Sequence, residues 1–175
     1  DAVPFGGWTE EHKTTKLVMR KIPTGTYTMG SPDGELGRDI DEPQHQVTLT
    51  KDFYIGVFAV TQKQWERVMG TWPSYFTNAT YRDSRPVEQV SYYDIRENPD
   101  NSAISPNWPD SAQVYADSFI GKLRAKTGLR TLDMPTESQW EYACRAGTTT
   151  ALNSGKNLTD TVDCTNMSDV GRYWY

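Results

Sequence analysis

Residues 132–150 read LDMPTESQWEYACRAGTTT, and this stretch decides most of what the chain can be. Pro135 has no amide proton and steers Met134 toward extended backbone, so the chain enters as a strand end or loop. Thr136 is placed to cap a helix. Its hydroxyl can accept from the amide of Gln139 while the Gln139 side chain returns to the amide of Thr136. Such a cap is worth about 1 kcal/mol. Behind it Trp140, Ala143 and Cys144 recur at i, i+3, i+4 spacing, and Gly147 stands where a left-handed residue ends a helix. The spacing predicts one short helix, buried through Trp140, with Cys144 packed as a small hydrophobe on the same face.

The same residues carry a resemblance. Pro-Thr-Glu-x-x-Trp-Glu-Tyr-Ala-x-Arg-x-Gly, residues Pro135 to Gly147, resembles the signature helix of the formylglycine-generating enzyme, or sulfatase-modifying factor, family. Further segments match in the family's order: Ile22 to Ser31 (IPTGTYTMGS), Asp41-Glu42-Pro43-x-His45-x-Val47, Gly70 to Phe76 (GTWPSYF) and Arg85 to Ser91 (RPVEQVS). The resemblance runs from about Leu17 to Tyr175. It implies an α+β domain of the C-type-lectin-like kind, with short strands, few helices and much irregular backbone, of which this chain corresponds to the N-terminal portion. It also implies the family activity, copper-dependent oxidation of a sulfatase cysteine to formylglycine. Two family features are absent: the later Gly-Leu-x-Asp-Met-x-Gly-Asn-x-Trp-Glu-Trp run, and the Cys-x-x-x-x-Cys pair that binds copper. Copper is therefore expected only with a further C-terminal portion, or a second chain of the same domain, that carries the pair. Family members place an Asn where Asn166 stands here, and its side chain with the next carbonyl holds a structural calcium. The resemblance thus implies calcium at Asn166 and Met167, against an ordinary loop.

Composition narrows the classes. At 175 residues the chain suits one domain, and six Trp and ten Tyr beside modest aliphatic content favour a loop-rich α+β body. A net charge of -5 without any basic run argues against nucleic acid as a partner. No apolar stretch is long enough to span a bilayer, and the opening DAVPFGG lacks the parts of a signal peptide. Because the first residue is Asp, an upstream segment, either a signal peptide or part of the natural chain, is expected to have been removed; a secreted or periplasmic setting is slightly favoured over a cytoplasmic one. Two cysteines, Cys144 and Cys164, permit one disulfide without requiring it.

In chain order, residues 1–16 read as a polar, irregular arm. Leu17 to Met29 alternates around Pro23-Thr24-Gly25, the pattern of a hairpin. Ser31 to Pro43 reads as a loop, followed by strands over Gln46 to Thr50 and Phe53 to Val60. Thr61, with Gln64 three residues on and Trp65 behind, repeats the capping grammar of Thr136, and Gly70 closes that helix. Ser91 caps a further helix. The prolines at 99, 106 and 109 then mark a loop insertion over Arg96 to Asp110. Asp110 or Ser111 is expected to open the longest helix, through Tyr115, Phe119 and Leu123 to a stop at Gly128.

No catalytic residue is assigned. The spaced glycines at 34 and 37 lack the Gly-Lys-Ser/Thr of a phosphate loop. Two histidines, His12 and His45, cannot make a multi-histidine centre, and the acidic run beside His45 reads as a scaffold loop. Neither a nucleophile elbow nor a defined carboxylate pair is present. Two readings follow. Either the chain is part of a sulfatase-modifying oxidase and inactive alone, or it is a non-catalytic module binding protein or carbohydrate on the same scaffold.

Overall fold

The computed structural model describes residues 3–97 and 108–171. Its backbone groups into two compact units, one of residues 1–21 and 54–134, the other of residues 22–53 and 135–175. Most of the insertion expected over 96–110 lies outside the described residues.

In the first unit the helix α2 (Gln62–Met69) begins as the sequence predicts. Thr61 and Gln64 form the reciprocal capping box, and Gly70 ends the helix at φ 77° in the left-handed region. The box puts Trp65 in the first turn, facing inward. Its ring stacks on Phe119 with centroids 4.9 Å apart, and Trp65, Phe119, Ile120 and Leu123 form the buried cluster. Phe119 opens α4 (Phe119–Thr127), which Ser118 caps through the amide of Gly121. The helix expected from residue 110 or 111 therefore starts later. The Ser118 hydroxyl also donates to the Tyr115 carbonyl at 2.7 Å, and a Cβ on Gly121 would meet that carbonyl at 2.1 Å. The chain before the helix folds back onto its first turn instead of extending it.

Residues 8–14 are not an irregular arm. They include a single turn, α1 (Glu11–Thr14), Trp8 packs edge-on against Phe58, and the Thr61 hydroxyl donates to the Lys13 carbonyl. The strand β1 (Met19–Ile22) pairs with β4 (Phe53–Gly56), and β4 stops well short of the Val60 predicted for it. The helix capped by Ser91, α3 (Tyr92–Ile95), is one turn long with its own capping box to Asp94.

A buried charge network holds α3 to α4. Arg96 is fully buried; its guanidinium grips Asp133 through Nε to Oδ1 at 2.8 Å and Nη2 to Oδ2 at 3.2 Å, donates to the Ser111 carbonyl and stacks over Trp108. Arg124 reaches the same carboxylate at 2.8 Å and the carbonyls of Leu132 and Ala112. Burial alone would lower the Arg96 pKa, but its hydrogen bonds and charge pairing with Asp133 leave it raised. Buried pairs of this kind are costly to break singly.

The second unit is built on the antiparallel pair β2 (Gly25–Met29) and β3 (His45–Leu49), with Tyr27 opposite Val47 and Met29 opposite His45. The hairpin predicted over residues 17–29 does not form, since β1 and β2 take different partners. At the expected reversal Pro23 has no amide proton, and the Thr24 amide donates to the Asp52 carboxylate at 2.9 Å instead of closing a turn. Ser31 to Pro43 is a loop whose ends meet: the Ser31 amide donates to the Glu42 carbonyl and its hydroxyl to the Glu42 carboxylate. Glu42 is thereby engaged in scaffolding.

Removing Asp133 would take from Arg96 its nearest counter-charge, leaving the Glu97 carboxylate 3.5 Å from Nη1. Asp133→Ala is expected to cost about 3–5 kcal/mol on urea unfolding, while Lys63→Ala, at a partly exposed helix pair with Glu66, should cost under about 1 kcal/mol. A loss of that smaller size at Asp133 would show that the network contributes little.

Candidate functional site

The signature helix α5 (Glu137–Arg145) is capped as its sequence predicts, by Thr136 and Gln139 together. It ends one residue early, on Ala146 at φ 48°, with Gly147 left-handed behind it. Its orientation is not the predicted one. Trp140 is 57% exposed and Cys144 is exposed as well. The face turned toward β2 carries Ser138, Glu141, Tyr142 and Arg145.

That face makes a specific grip on the end of β2. Glu141 Oε1 accepts from the Gly30 amide at 2.9 Å and from Arg145 Nε at 2.7 Å. Arg145 Nη2 then donates to the Gly30 carbonyl at 2.9 Å. Glu and Arg four apart sit on one helix face, so the pair reads both polar groups of a single peptide residue. Gly30 lies at φ 88°, and a Cβ there would meet the Glu42 and Pro43 carbonyls at 2.8 Å; only glycine fits. Beside it the Tyr27 hydroxyl donates to the Ser138 carbonyl at 2.8 Å. Burial, then the Glu141 charge, pushes the Tyr27 pKa up to about 12, keeping that hydroxyl a donor. Gly25 leaves room for Tyr142, whose hydroxyl would lie 2.1 Å from an added Cβ. The conspicuous charged residues of the motif are thus scaffold contacts.

The thiols occupy different surroundings. Both are free. Cys164 is 3% exposed, and its sulfur accepts from the Thr159 amide at 3.4 Å, with the Thr159 hydroxyl 3.5 Å away. Those hydrogen bonds favour the thiolate and bring its pKa down to about 7. A copper(I) site of two neighbouring thiolates does not fit an outward thiol on a helix and a buried one held by Thr159.

Asn166 and Met167 lie in a short 3₁₀ turn, Thr165–Asp169. Asn166 Nδ2 donates to the Asn157 carbonyl at 2.8 Å, leaving its Oδ1 without a hydrogen bond in that contact. The Met167 carbonyl accepts from the amides of Val170 and Gly171 at 3.0 and 2.9 Å, which occupies its two lone pairs. Calcium takes about six to eight oxygens. These two residues do not complete such a site by themselves, and among the described residues no group of three or more His, Cys, Asp or Glu could hold a metal ion.

Comparison with known proteins agrees with this scaffold. Residues 6–174 match the family model described as the sulfatase-modifying factor enzyme 1-like domain, and the chain belongs to that family. It is 34% identical over 140 residues to the chaperone protein LppX of Paenibacillus barcinonensis, covering 73% of this chain and 46% of that protein. It is 25% identical over 154 residues to the formylglycine-generating enzyme of Mus musculus, covering 76% and 40%. The solved structure of PvdO from Pseudomonas aeruginosa aligns with a TM-score of 0.51 and 28% identity, over 74% of this chain and 47% of that one. The fold is accordingly the C-type-lectin-like α+β fold of the formylglycine-generating enzyme family, and the chain spans less than half the length of each of these relatives.

Three measurements check this site. Glu141→Ala should destabilise the chain by about 2–3 kcal/mol, since it leaves Arg145 and the Gly30 amide unpaired, whereas Trp140→Ala should cost under about 1 kcal/mol at an exposed position. Reversed magnitudes on urea unfolding would mean that α5 faces the other way. In the folded chain, Ellman's reagent should titrate Cys144 rapidly and Cys164 slowly, both reacting at once in denaturant. Cys164 also links stability to pH. Its folded pKa lies below the ordinary thiol value, so its stabilisation is complete above the unfolded pKa and is lost as pH falls through about 7. Cys164→Ser should remove that dependence, and an unchanged profile would exclude Cys164 as its source.

Proposed function

We propose that the chain supplies the scaffold portion of a sulfatase-modifying-factor-like protein and that its own thiols do not oxidise a sulfatase cysteine to formylglycine. The observation that carries this reading is the contrast between the two cysteines, one exposed on α5 and one buried against Thr159. Copper-assisted oxidation of a thiol by dioxygen calls for thiolates that reach one metal together.

Completion by further polypeptide is the second part of the proposal. The outward face of the signature helix presents Trp140, a large ring left 57% exposed, beside Cys144 one turn on. A surface of that kind suits the remainder of a family-length domain, in the same chain or as a second one. Within the completed domain the Asn166 Oδ1 would be one calcium ligand among several, and a sulfatase would be the substrate. The non-catalytic alternative, display of loops for a protein or carbohydrate ligand, draws on the likeness to a relative named as a chaperone.

The test is direct. Incubate the chain with copper(I), dioxygen and a cysteine-containing sulfatase peptide, and follow aldehyde formation by mass spectrometry. No conversion is expected from the chain alone, while a chimera carrying the C-terminal part of the mouse enzyme should convert the peptide. Conversion by the chain alone, abolished by Cys144→Ser or Cys164→Ser, would overturn the proposal. An inactive but folded chimera would favour the non-catalytic module.

A further inference from the structure

The first unit holds a trough of about 770 Å³ between α2, α4 and the strand β1. Volumes of roughly 300–1,000 Å³ are those of small-molecule pockets. Its floor is apolar: Leu17, Val68, Phe119, Leu123 and Leu132 line it. Met19 and Leu129, 37% and 57% exposed, also line it, beside the polar Thr15, Lys63, Gln64, Glu66 and Thr127.

The charges around the trough are of one sign once internal pairs are removed. Lys63 is matched by Glu66 at 3.0 Å. Arg67 and Lys126 also line the trough, and among the described residues neither has an ion-pair or hydrogen-bond partner through its side chain. Both stand in the last turns of their helices, where a cation is favoured by the helix dipole. The dipole explains their presence but not the apolar floor they flank, and the chain as a whole carries a net charge of -5.

We propose that this trough binds a single-chain amphiphile with a carboxylate head, of the fatty-acid type. The hydrocarbon lies on the Leu17, Phe119 and Leu123 floor, where each methylene removed from water adds to affinity. The carboxylate sits at Arg67 and Lys126, the guanidinium fork matching its two oxygens. Arg67 and Lys126 are exposed, so a neutral chain would forgo their attraction without stranding a charge, and a cationic one would be repelled. This assignment does not depend on the oxidase reading, because it uses neither cysteine nor the signature helix.

Isothermal titration of the full chain with dodecanoate, dodecanol and dodecyltrimethylammonium, all below their micellar concentrations, tests it. Dodecanoate should bind saturably with one site per chain and at least about tenfold more tightly than the cationic analogue, a difference of about 1.4 kcal/mol. The double substitution Arg67→Gln with Lys126→Gln should bring dodecanoate down to the level of dodecanol. Leu129→Asp, at the exposed mouth, should weaken both, and circular dichroism should show each variant folded. Non-saturating uptake, equal binding of the cation, or dodecanoate affinity unchanged in the double variant would overturn the proposal. Tighter binding of dodecyl phosphate would overturn the carboxylate assignment.

Discussion

The second unit depends on the way one glycine is held. Gly30 sits where β2 gives way to the long loop, at a backbone angle closed to other residues, with its amide and carbonyl both bound by the Glu141–Arg145 pair. Without Glu141 the amide would lose its acceptor and the guanidinium its counter-charge. Without glycine the Glu42 and Pro43 carbonyls would be displaced, and with them the loop closure through Ser31. The Met-Gly-Ser segment and the Trp-Glu-Tyr-Ala-x-Arg segment, over a hundred positions apart, are two halves of one contact. Long-range pairings of this kind carry the loop-closure entropy of everything between them, so their geometry must be good to persist.

This contact changes what the signature means. A Glu and an Arg on a helix beside a Tyr with a pKa raised to about 12 resemble catalytic machinery, and perturbed groups do cluster at active sites. Here each charge is consumed by backbone, and the tyrosine is kept protonated to donate to a carbonyl. The motif identifies the family because it specifies the fold. Fold membership leaves the chemistry to be argued from the site, and in this chain one thiol is exposed on α5 while the other is buried against Thr159.

Local rules were legible and orientation was not. All three Thr or Ser boxes, at Thr61, Ser91 and Thr136, form as their residues dictate, because a cap is settled within four residues. The two threonine boxes also place a Trp immediately after the Gln, yet Trp65 is 3% exposed and Trp140 57%. Nothing within either helix distinguishes them; the difference lies in what packs alongside, Phe119 in one case and solvent in the other. The same limit explains the missing hairpin. Alternation over residues 17–29 identified two strands but could not say that each pairs elsewhere. The late start of α4 turned on Ser118 competing with Ser111 as a cap, a contest decided by the Tyr115 carbonyl. Met19 and Leu129 passed unnoticed as trough residues because they come together only in the folded unit.

The exposed ring of Trp140 bears on how the scaffold is used. An indole carries about 150–250 Å² of surface, and leaving more than half of it in water forgoes roughly 2–3 kcal/mol at about 25 cal/mol per Å². Single exposed apolar residues are common on protein surfaces, so exposure alone would mean little. Its placement is what matters: this Trp stands on the helix whose opposite face is committed to Gly30, and that helix therefore cannot rotate to bury the ring without releasing Glu141 and Arg145. The grip that builds the unit also fixes the Trp outward. A helix locked in this orientation offers a preorganised aromatic surface, and a partner that covers it would gain the burial without a cost of rearranging the helix.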